Sequence, residues 1–171
     1  MANKPLRVMG IDPGTIRTGY GIVEYARSKI VHLDNGLVSA SKSKPLANRL
    51  DIIYTQIQTI LKTFQPDVVA VEEVFFHKNA RAALSLGHAR GVLLAAIASQ
   101  EIPLREYSTT HVKKTVTGRG RADKYQVQMM VRTILGLPEI PAEDASDALA
   151  LAICHCHHST ENLIRDRTSS R

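Results

Sequence analysis

Three strand-like segments follow one another closely at the start of this chain, and they restrict its fold more than any other feature. They are Leu6–Ile11, Gly19–Tyr25 and Lys29–Val38, each rich in apolar or β-branched residues and bounded by turn-forming residues. Parallel neighbours would need a crossover of about a dozen or more residues, and the links here are shorter. The segments therefore predict an antiparallel β-meander.

The remainder of the chain alternates between helical and strand-like patterns. Apolar residues at helical spacing predict helices, and the short apolar runs Val68–Val71 and Ile102–Tyr107 predict two further strands. The predicted helical segments are Pro45–Phe64, Asn79–Gln100, a turn at His111–Val116, Asp123–Leu135 and Glu143–His158. A meander followed by this alternation indicates an α/β domain with a mixed β-sheet and helices on both faces.

The length of 171 residues suits one domain of ordinary size and is too short for two complete α/β domains. We assign residues 1–158 to a single domain. Residues 159–171 are polar and charged, which predicts a disordered tail.

The chain is basic, with 22 Lys and Arg against 16 Asp and Glu and a pI of about 9.5. A positive surface favours a polyanionic partner such as nucleic acid, although many basic proteins bind none. Met1–Arg7 is short and polar and resembles no export signal, and the apolar run Gly91–Ala98 is far shorter than a membrane span. We therefore expect a cytoplasmic protein without a membrane partner.

Acidic residues stand where burial makes them costly. Asp12 ends the first strand, Glu72 and Glu73 follow the strand Val68–Val71, and Asp144 and Asp147 share one face of the last helix. A buried carboxylate costs several kcal/mol unless it is paired, neutralised or bound to a cation. Convergence of these groups predicts a metal site, and oxygen ligands favour Mg²⁺ or Mn²⁺.

Each acidic position also has a simpler interpretation. Asp12-Pro13-Gly14 is a good type II turn in itself, and the two aspartates of the last helix could only complement its positive end. The adjacent glutamates must face opposite sides of a strand, and periodicity does not decide between them. The face with the two aspartates continues into Ala148 and Leu151, which predicts that it points inward.

A group of basic residues precedes the fourth predicted helix, and two phenylalanines follow the glutamates. The basic residues could bind phosphate near the helix N-terminus or could form a solvated loop; they are Lys113, Lys114, Arg119, Arg121 and Lys124. Phe75 and Phe76 could project beside the site or close the sheet edge as core residues.

Five motifs, in order and at matching spacings over nearly the whole chain, closely resemble those of RuvC-type Holliday-junction resolvases. They are Gly10-Ile11-Asp12-Pro13-Gly14, Thr18-Gly19-Tyr20-Gly21, Val71-Glu72-Glu73-Val74-Phe75, Leu86-Gly87-His88-Ala89-Arg90-Gly91 and Asp144-Ala145-Ser146-Asp147-Ala148-Leu149-Ala150. The resemblance implies a ribonuclease H-like fold, a homodimer, Mg²⁺ dependence and cleavage of four-way DNA junctions in recombination and repair. It also implies a branch-migration helicase partner of the RuvA and RuvB type.

The resemblance assigns roles to individual residues. It implies that Asp12, Glu72, Asp144 and Asp147 are the catalytic, metal-binding acids, and so favours Glu72 over Glu73. It also implies that Lys113 and Lys124 lie beside the scissile phosphate and that Phe75 stacks on an unpaired base. Tyr125 departs from the small polar residue expected after Lys124.

The implied chemistry is two-metal hydrolysis, with ions about 4 Å apart, that leaves a 5′ phosphate and a 3′ hydroxyl. We expect Asp12 to bridge the ions, and Mn²⁺ to be able to replace Mg²⁺. Two symmetric nicks need two active sites, which a two-fold dimer supplies. The candidate interface is the small-residue side of the second helix, formed by Leu84, Gly87, Gly91 and Ala95, which could instead pack only on its own sheet.

Three other functions fit parts of the sequence. A related nuclease acting on RNA or RNA–DNA hybrid would use the same acids. The Gly-Ile-Asp opening also resembles the phosphate loop of actin-like and sugar-kinase ATPases, which need two such domains. A junction-binding protein without activity would keep the basic surface but would have little reason to carry all four carboxylates.

Overall fold

A computed structural model describes the backbone of residues 4–73 and 79–169 and the side chains of these ranges up to His158. Within this part, five strands form one mixed sheet in the order β3-β2-β1-β4-β5. The strands are β1 (Leu6–Asp12), β2 (Arg17–Ala26), β3 (Lys29–Ser39), β4 (Val68–Glu72) and β5 (Leu104–Tyr107). The first three pair antiparallel, which confirms the predicted meander.

Five helices accompany the sheet in the described part of the chain. They are α1 (Leu46–Phe64), α2 (Ala80–Ala98), α3 (Thr109–Thr117), α4 (Lys124–Leu135) and α5 (Glu143–Ser169). Strand β4 lies parallel to β1, and β5 lies parallel to β4, so α1 and α2 belong to the crossover connections that parallel pairing requires. None of the helices in these described ranges combines the length and apolarity needed to cross a membrane.

Both faces of the sheet are covered by helices, as predicted. On one face Met9 of β1 packs in a buried cluster with Ile53 of α1 and Leu93 of α2. On the other face Val8 packs with residues of α3, α4 and α5, including Leu149. Alternate side chains of β1 therefore enter two different cores, which explains why nearly the whole strand is apolar.

Helix α5 packs against β1 and β2 at unusually close range because glycines face it. A Cβ atom added to Gly10 would lie 1.8 Å from the carbonyl oxygen of Ala148, and one added to Gly19 would lie 1.9 Å from that of Asp144. No other residue type leaves room for this approach. The glycines thus bring the first turns of α5 directly over the ends of β1 and β2.

Three local predictions differ from the structure. Gly14 does not have the positive φ that a type II turn requires at its third position. A Cβ at Gly14 would instead lie 2.1 Å from the carbonyl oxygen of Arg17, so close backbone approach is the reason for glycine there. The turn predicted at His111–Val116 is a longer helix, α3, because the Ser108 side chain caps its start by accepting from the His111 N–H.

The third difference is the end of α5, predicted at His158 and found at Ser169. Residues 159–169 contain neither glycine nor proline, so nothing in the backbone chemistry ends the helix earlier. The assignment of 159–171 as a tail outside the domain stays a prediction.

Candidate active site

Asp12 and Glu72 end two neighbouring parallel strands and so reach the same edge of the sheet. The register of β1 and β4 pairs Ile11 with Val71, and each acid is the next residue along its strand. Glu72 is half-buried and lines a cavity at this edge, whereas Glu73 is exposed and does not. The structure therefore distinguishes the two glutamates, which periodicity alone does not.

Asp144 and Asp147 complete the carboxylate set from above the sheet. They occupy the first turns of α5, which Gly19 admits to backbone contact at Asp144. All four predicted carboxylates, together with Lys113 and Lys124, line one cavity of about 270 Å³. Its other lining residues are Thr109, Val112, Val127, Ala150 and Leu151.

The negative charges of the carboxylates make their neighbours harder to ionise. Burial, reinforced by the negative charges of Asp147, Asp144 and Glu72, raises the pKa of Asp12 to about 7. Burial also raises the pKa of Asp147 to about 6, although the nearby Lys124 ammonium acts in the opposite direction. Concentrated negative charge in a partly buried cavity favours a bound cation.

The donor set fits a hard divalent cation. The described residues that line the cavity offer carboxylate oxygens and include no Cys or His, which favours Mg²⁺ or Mn²⁺ over zinc. Among the described side chains no group of three or more His, Cys, Asp or Glu encloses an ion by itself. This open arrangement suits Mg²⁺, which commonly combines one or two carboxylates with water and substrate phosphate.

The predicted basic residues divide into two groups. Lys113 and Lys124 line the cavity, and Lys124 Nζ forms an ion pair with Glu143. A hydrogen bond from Lys124 to Glu143, with help from the charges of Asp147 and Asp12, raises the lysine's pKa, so its ammonium form is favoured. Three residues lie exposed outside the cavity, namely Lys114, Arg119 and Arg121.

Phe75, Phe76 and the residues next to them lie outside the described part of the chain. The predicted contact of Phe75 with a base therefore stays a prediction. Tyr125, next to Lys124, is 63% exposed.

Sequence reasoning missed three residues that contact the predicted acids. Arg90 Nη1 donates to the backbone carbonyl of Glu72 at 2.6 Å, and Thr109 Oγ1 donates to Glu72 Oε1. Arg17 Nε lies 3.6 Å from Asp144 Oδ2. Arg90 lies in one of the five motifs, but the sequence predicts no contact for its side chain. Thr109 gave no signal, because its position beside Glu72 depends on how β4 and β5 pair.

A five-stranded mixed sheet with helices on both faces, and acids meeting at the ends of β1 and β4 beneath α5, define the class of ribonuclease H-like nucleases. The family model for the crossover junction endodeoxyribonuclease RuvC matches residues 8–155. The chain belongs to the RuvC family.

Named relatives and solved structures agree with this family. A RuvC crossover junction endodeoxyribonuclease from Syntrophotalea carbinolica is 51% identical over 152 residues, covering 89% of this chain and 94% of the relative. The structure of T. thermophilus RuvC in complex with a Holliday junction substrate is 35% identical, with a TM-score of 0.86 over 92% of this chain and 96% of that one. The yeast mitochondrial resolvase Ydc2, at 15% identity and a TM-score of 0.63 over 91% of this chain and 81% of that one, shares the fold.

Proposed function

We propose that this chain is an endodeoxyribonuclease that resolves four-way Holliday junctions by paired symmetric nicks in recombination and repair. The observation that carries the proposal is the single cavity lined by Asp12, Glu72, Asp144 and Asp147 together with Lys113 and Lys124. Membership of the RuvC family supports the choice of a DNA junction as substrate.

Divalent cations, Mg²⁺ or Mn²⁺, would be held by the four carboxylates. Two such ions would supply activation of a water and stabilisation of the leaving 3′ oxygen, which would give 5′-phosphate and 3′-hydroxyl ends. Asp12 would hold metal from the central strand, where the charges of the three other acids raise its pKa. Glu72 and Asp147 would be further ligands, and Asp144 would help to position metal or water.

The two cavity lysines would act on the phosphate. Their ammonium groups offset negative charge on the scissile phosphate, where charge develops during hydrolysis. Lys114, Arg119 and Arg121 lie exposed outside the cavity and would contact the DNA backbone, which would make binding sensitive to salt. Phe75 would stack on an unpaired base at the opened junction, worth about 1–3 kcal/mol.

A homodimer would supply the second active site that paired nicks require. Leu84 of α2 is 63% exposed, and a Cβ added to Gly87 or Gly91 meets nothing within 4 Å. Ala95 is exposed on the same side. No described residue of the protomer covers this apolar side, so a second copy of α2 can approach it closely.

Two further assignments rest on the family. A branch-migration complex of the RuvA and RuvB type would deliver junctions to the dimer. The enzyme would act on junctions in the cytoplasm.

The proposal is tested by cleavage of a synthetic four-way junction with Mg²⁺, Mn²⁺ or EDTA. Cleavage is expected with either ion and not with EDTA. The variant Asp12→Asn is expected to bind the junction with parental affinity but not to cut it. Glu73→Gln removes the neighbouring carboxylate that lies outside the cavity and is expected to cut like the parent. An Asp12→Asn protein that still cuts would contradict the assignment.

A further inference from the structure

Glu72 is held by two residues to which no role in the reaction is assigned. One contact is on its backbone and the other on its carboxylate, and the two come from different elements. Thr109 lies at the start of α3, and Arg90 lies in the middle of α2. The pairing of β4 with β5 explains how they meet Glu72.

Strand β5 places Thr109 beside the carboxylate. In the parallel register Glu72 is opposite Tyr107, and the Glu73 N–H donates to the Tyr107 carbonyl at 2.9 Å. Ser108 then caps α3, so Thr109 is the first residue of a helix whose start is fixed. Its hydroxyl donates to Glu72 Oε1, and Thr109 lines the cavity with the four acids.

This hydrogen bond limits how the Glu72 carboxylate can turn. An ionised carboxylate only accepts, so a donor on Oε1 restrains that oxygen and leaves Oε2 available as a ligand. Carboxylates that bind metal are commonly oriented by such outer partners, and loss of a partner typically weakens metal binding by about 10–100-fold.

Arg90 fixes the backbone from which that side chain projects. Its side chain is only 11% exposed, which is costly for a guanidinium without partners. It forms two contacts, one to the Glu72 carbonyl at 2.6 Å and one to the carboxylate of Glu106 on β5. Arg90 thereby joins the ends of β4 and β5 from helix α2.

We propose that Thr109 and Arg90 are positioning residues that hold Glu72 in the orientation that binds the catalytic cation. Thr109 orients the carboxylate, and Arg90 fixes the peptide group behind it. This inference rests on the proposed metal-dependent function and concerns only how one of its ligands is held.

The test is Mn²⁺ binding by full-length protein, measured directly by electron paramagnetic resonance of the free ion. Thr109→Val keeps the side-chain shape but removes the donor, and it is expected to weaken Mn²⁺ binding about tenfold. Thr109→Ser retains a hydroxyl and is expected to restore most of the affinity. Thr110→Val is the matched control at the next, exposed position and is expected to bind like the parent.

Arg90→Lys keeps the charge but cannot contact both partners with the same planar group, so it is also expected to bind Mn²⁺ more weakly. Thermal unfolding separates this effect from a general loss of structure. In cleavage assays, saturating Mn²⁺ is expected to restore the Thr109→Val rate to near the parental rate. Structural damage alone would lower the rate at saturating Mn²⁺ as well.

The outcomes distinguish this inference from the proposed function. If Asp12→Asn abolishes Mn²⁺ binding but Thr109→Val and folded Arg90→Lys bind within twofold of the parent, only the positioning roles are wrong. If the parent binds no Mn²⁺ and its cleavage needs no metal, the metal-dependent function and this inference both fail.

Discussion

Asp12 is the residue of the site whose ionisation is most strongly opposed by burial and by neighbouring negative charge. The pKa of this carboxyl is about 7 in the folded protein, against an ordinary value of 3.8. The folded state therefore binds more protons than the unfolded state between these two pH values. Stability contributed by Asp12 falls as the pH rises from about 4 to about 7 and stays low above that range.

This sign gives a prediction for metal-free protein. Asp12→Asn removes the buried charge and is expected to raise the free energy of unfolding at pH 8 by on the order of 2 kcal/mol. This is less than the full pKa shift corresponds to, because solvent partly screens the carboxylate. At pH 4 the gain is expected to vanish. Urea unfolding in EDTA at both pH values measures this difference in free energy between the variant and the parent. Added Mg²⁺ should make the difference at pH 8 smaller. Asp51→Asn, at an exposed position of α1, is the control; an equal gain at both pH values would contradict the account.

Lys124 gives a second prediction at this scale. Its ammonium group lines the cavity and lies near Asp12 and Asp147, so Lys124→Ala is expected to lower the cleavage rate by about 10²–10³-fold. Lys114→Ala removes an exposed lysine outside the cavity and should mainly reduce the salt sensitivity of DNA binding. Single-turnover cleavage and binding assays separate these effects. A parental rate in Lys124→Ala would exclude an electrostatic role.

Individual side chains were predictable from sequence only where a strand or helix pattern fixed their direction. The shared face of Asp144 and Asp147 follows from helical spacing, and both line the cavity. Alternation along a strand does not say whether Glu72 or Glu73 faces the site, and only the family resemblance favoured Glu72. Thr109 is 37 residues from Glu72 in sequence, and only the strand register brings them together.

At the scale of elements, the packing of α5 on β1 and β2 decides where two of the acids lie. The meander and the alternation of helix and strand were predictable, since short links and apolar periodicity constrain them directly. The close approach of α5 was not, because glycine in a strand can equally mark a bulge or a turn. Nor was the length of α3, which depends on the Ser108 cap.

Gly19→Ala tests this packing. The added methyl group would meet the Asp144 carbonyl, so the variant is expected to lose about 1–3 kcal/mol of stability. Movement of Asp144 should also lower the cleavage rate by about 100-fold, since small displacements at a reacting centre are costly. Ser43→Thr also adds one methyl group, at an exposed position away from the site and the proposed interface, and is the control. Thermal unfolding and cleavage rates measure the two effects. A Gly19→Ala variant with parental stability and a parental cleavage rate would contradict this role of the packing.

At the scale of the whole molecule, the uncovered side of α2 predicts a two-fold dimer. Gly91→Glu fits the protomer, in which a Cβ at this position meets nothing within 4 Å, but places charge where the second helix should approach. Sedimentation velocity is expected to show a dimer for the parent and a monomer for this variant. Ala82→Glu, exposed on another side of α2, should remain dimeric. A parent that sediments as a monomer both with and without DNA would contradict the proposed interface.

We propose above all that one dimer of this enzyme cuts a four-way junction at two symmetric positions. The most direct measurement is a map of the cuts made with Mg²⁺ in a mobile four-way junction, beside linear duplex and RNA–DNA hybrid of matching sequence. We expect paired nicks at symmetric positions in the junction, with 5′-phosphate and 3′-hydroxyl ends, and none in the duplex or hybrid. Cutting of the hybrid in preference to the junction, or tight junction binding without any cut, would contradict it.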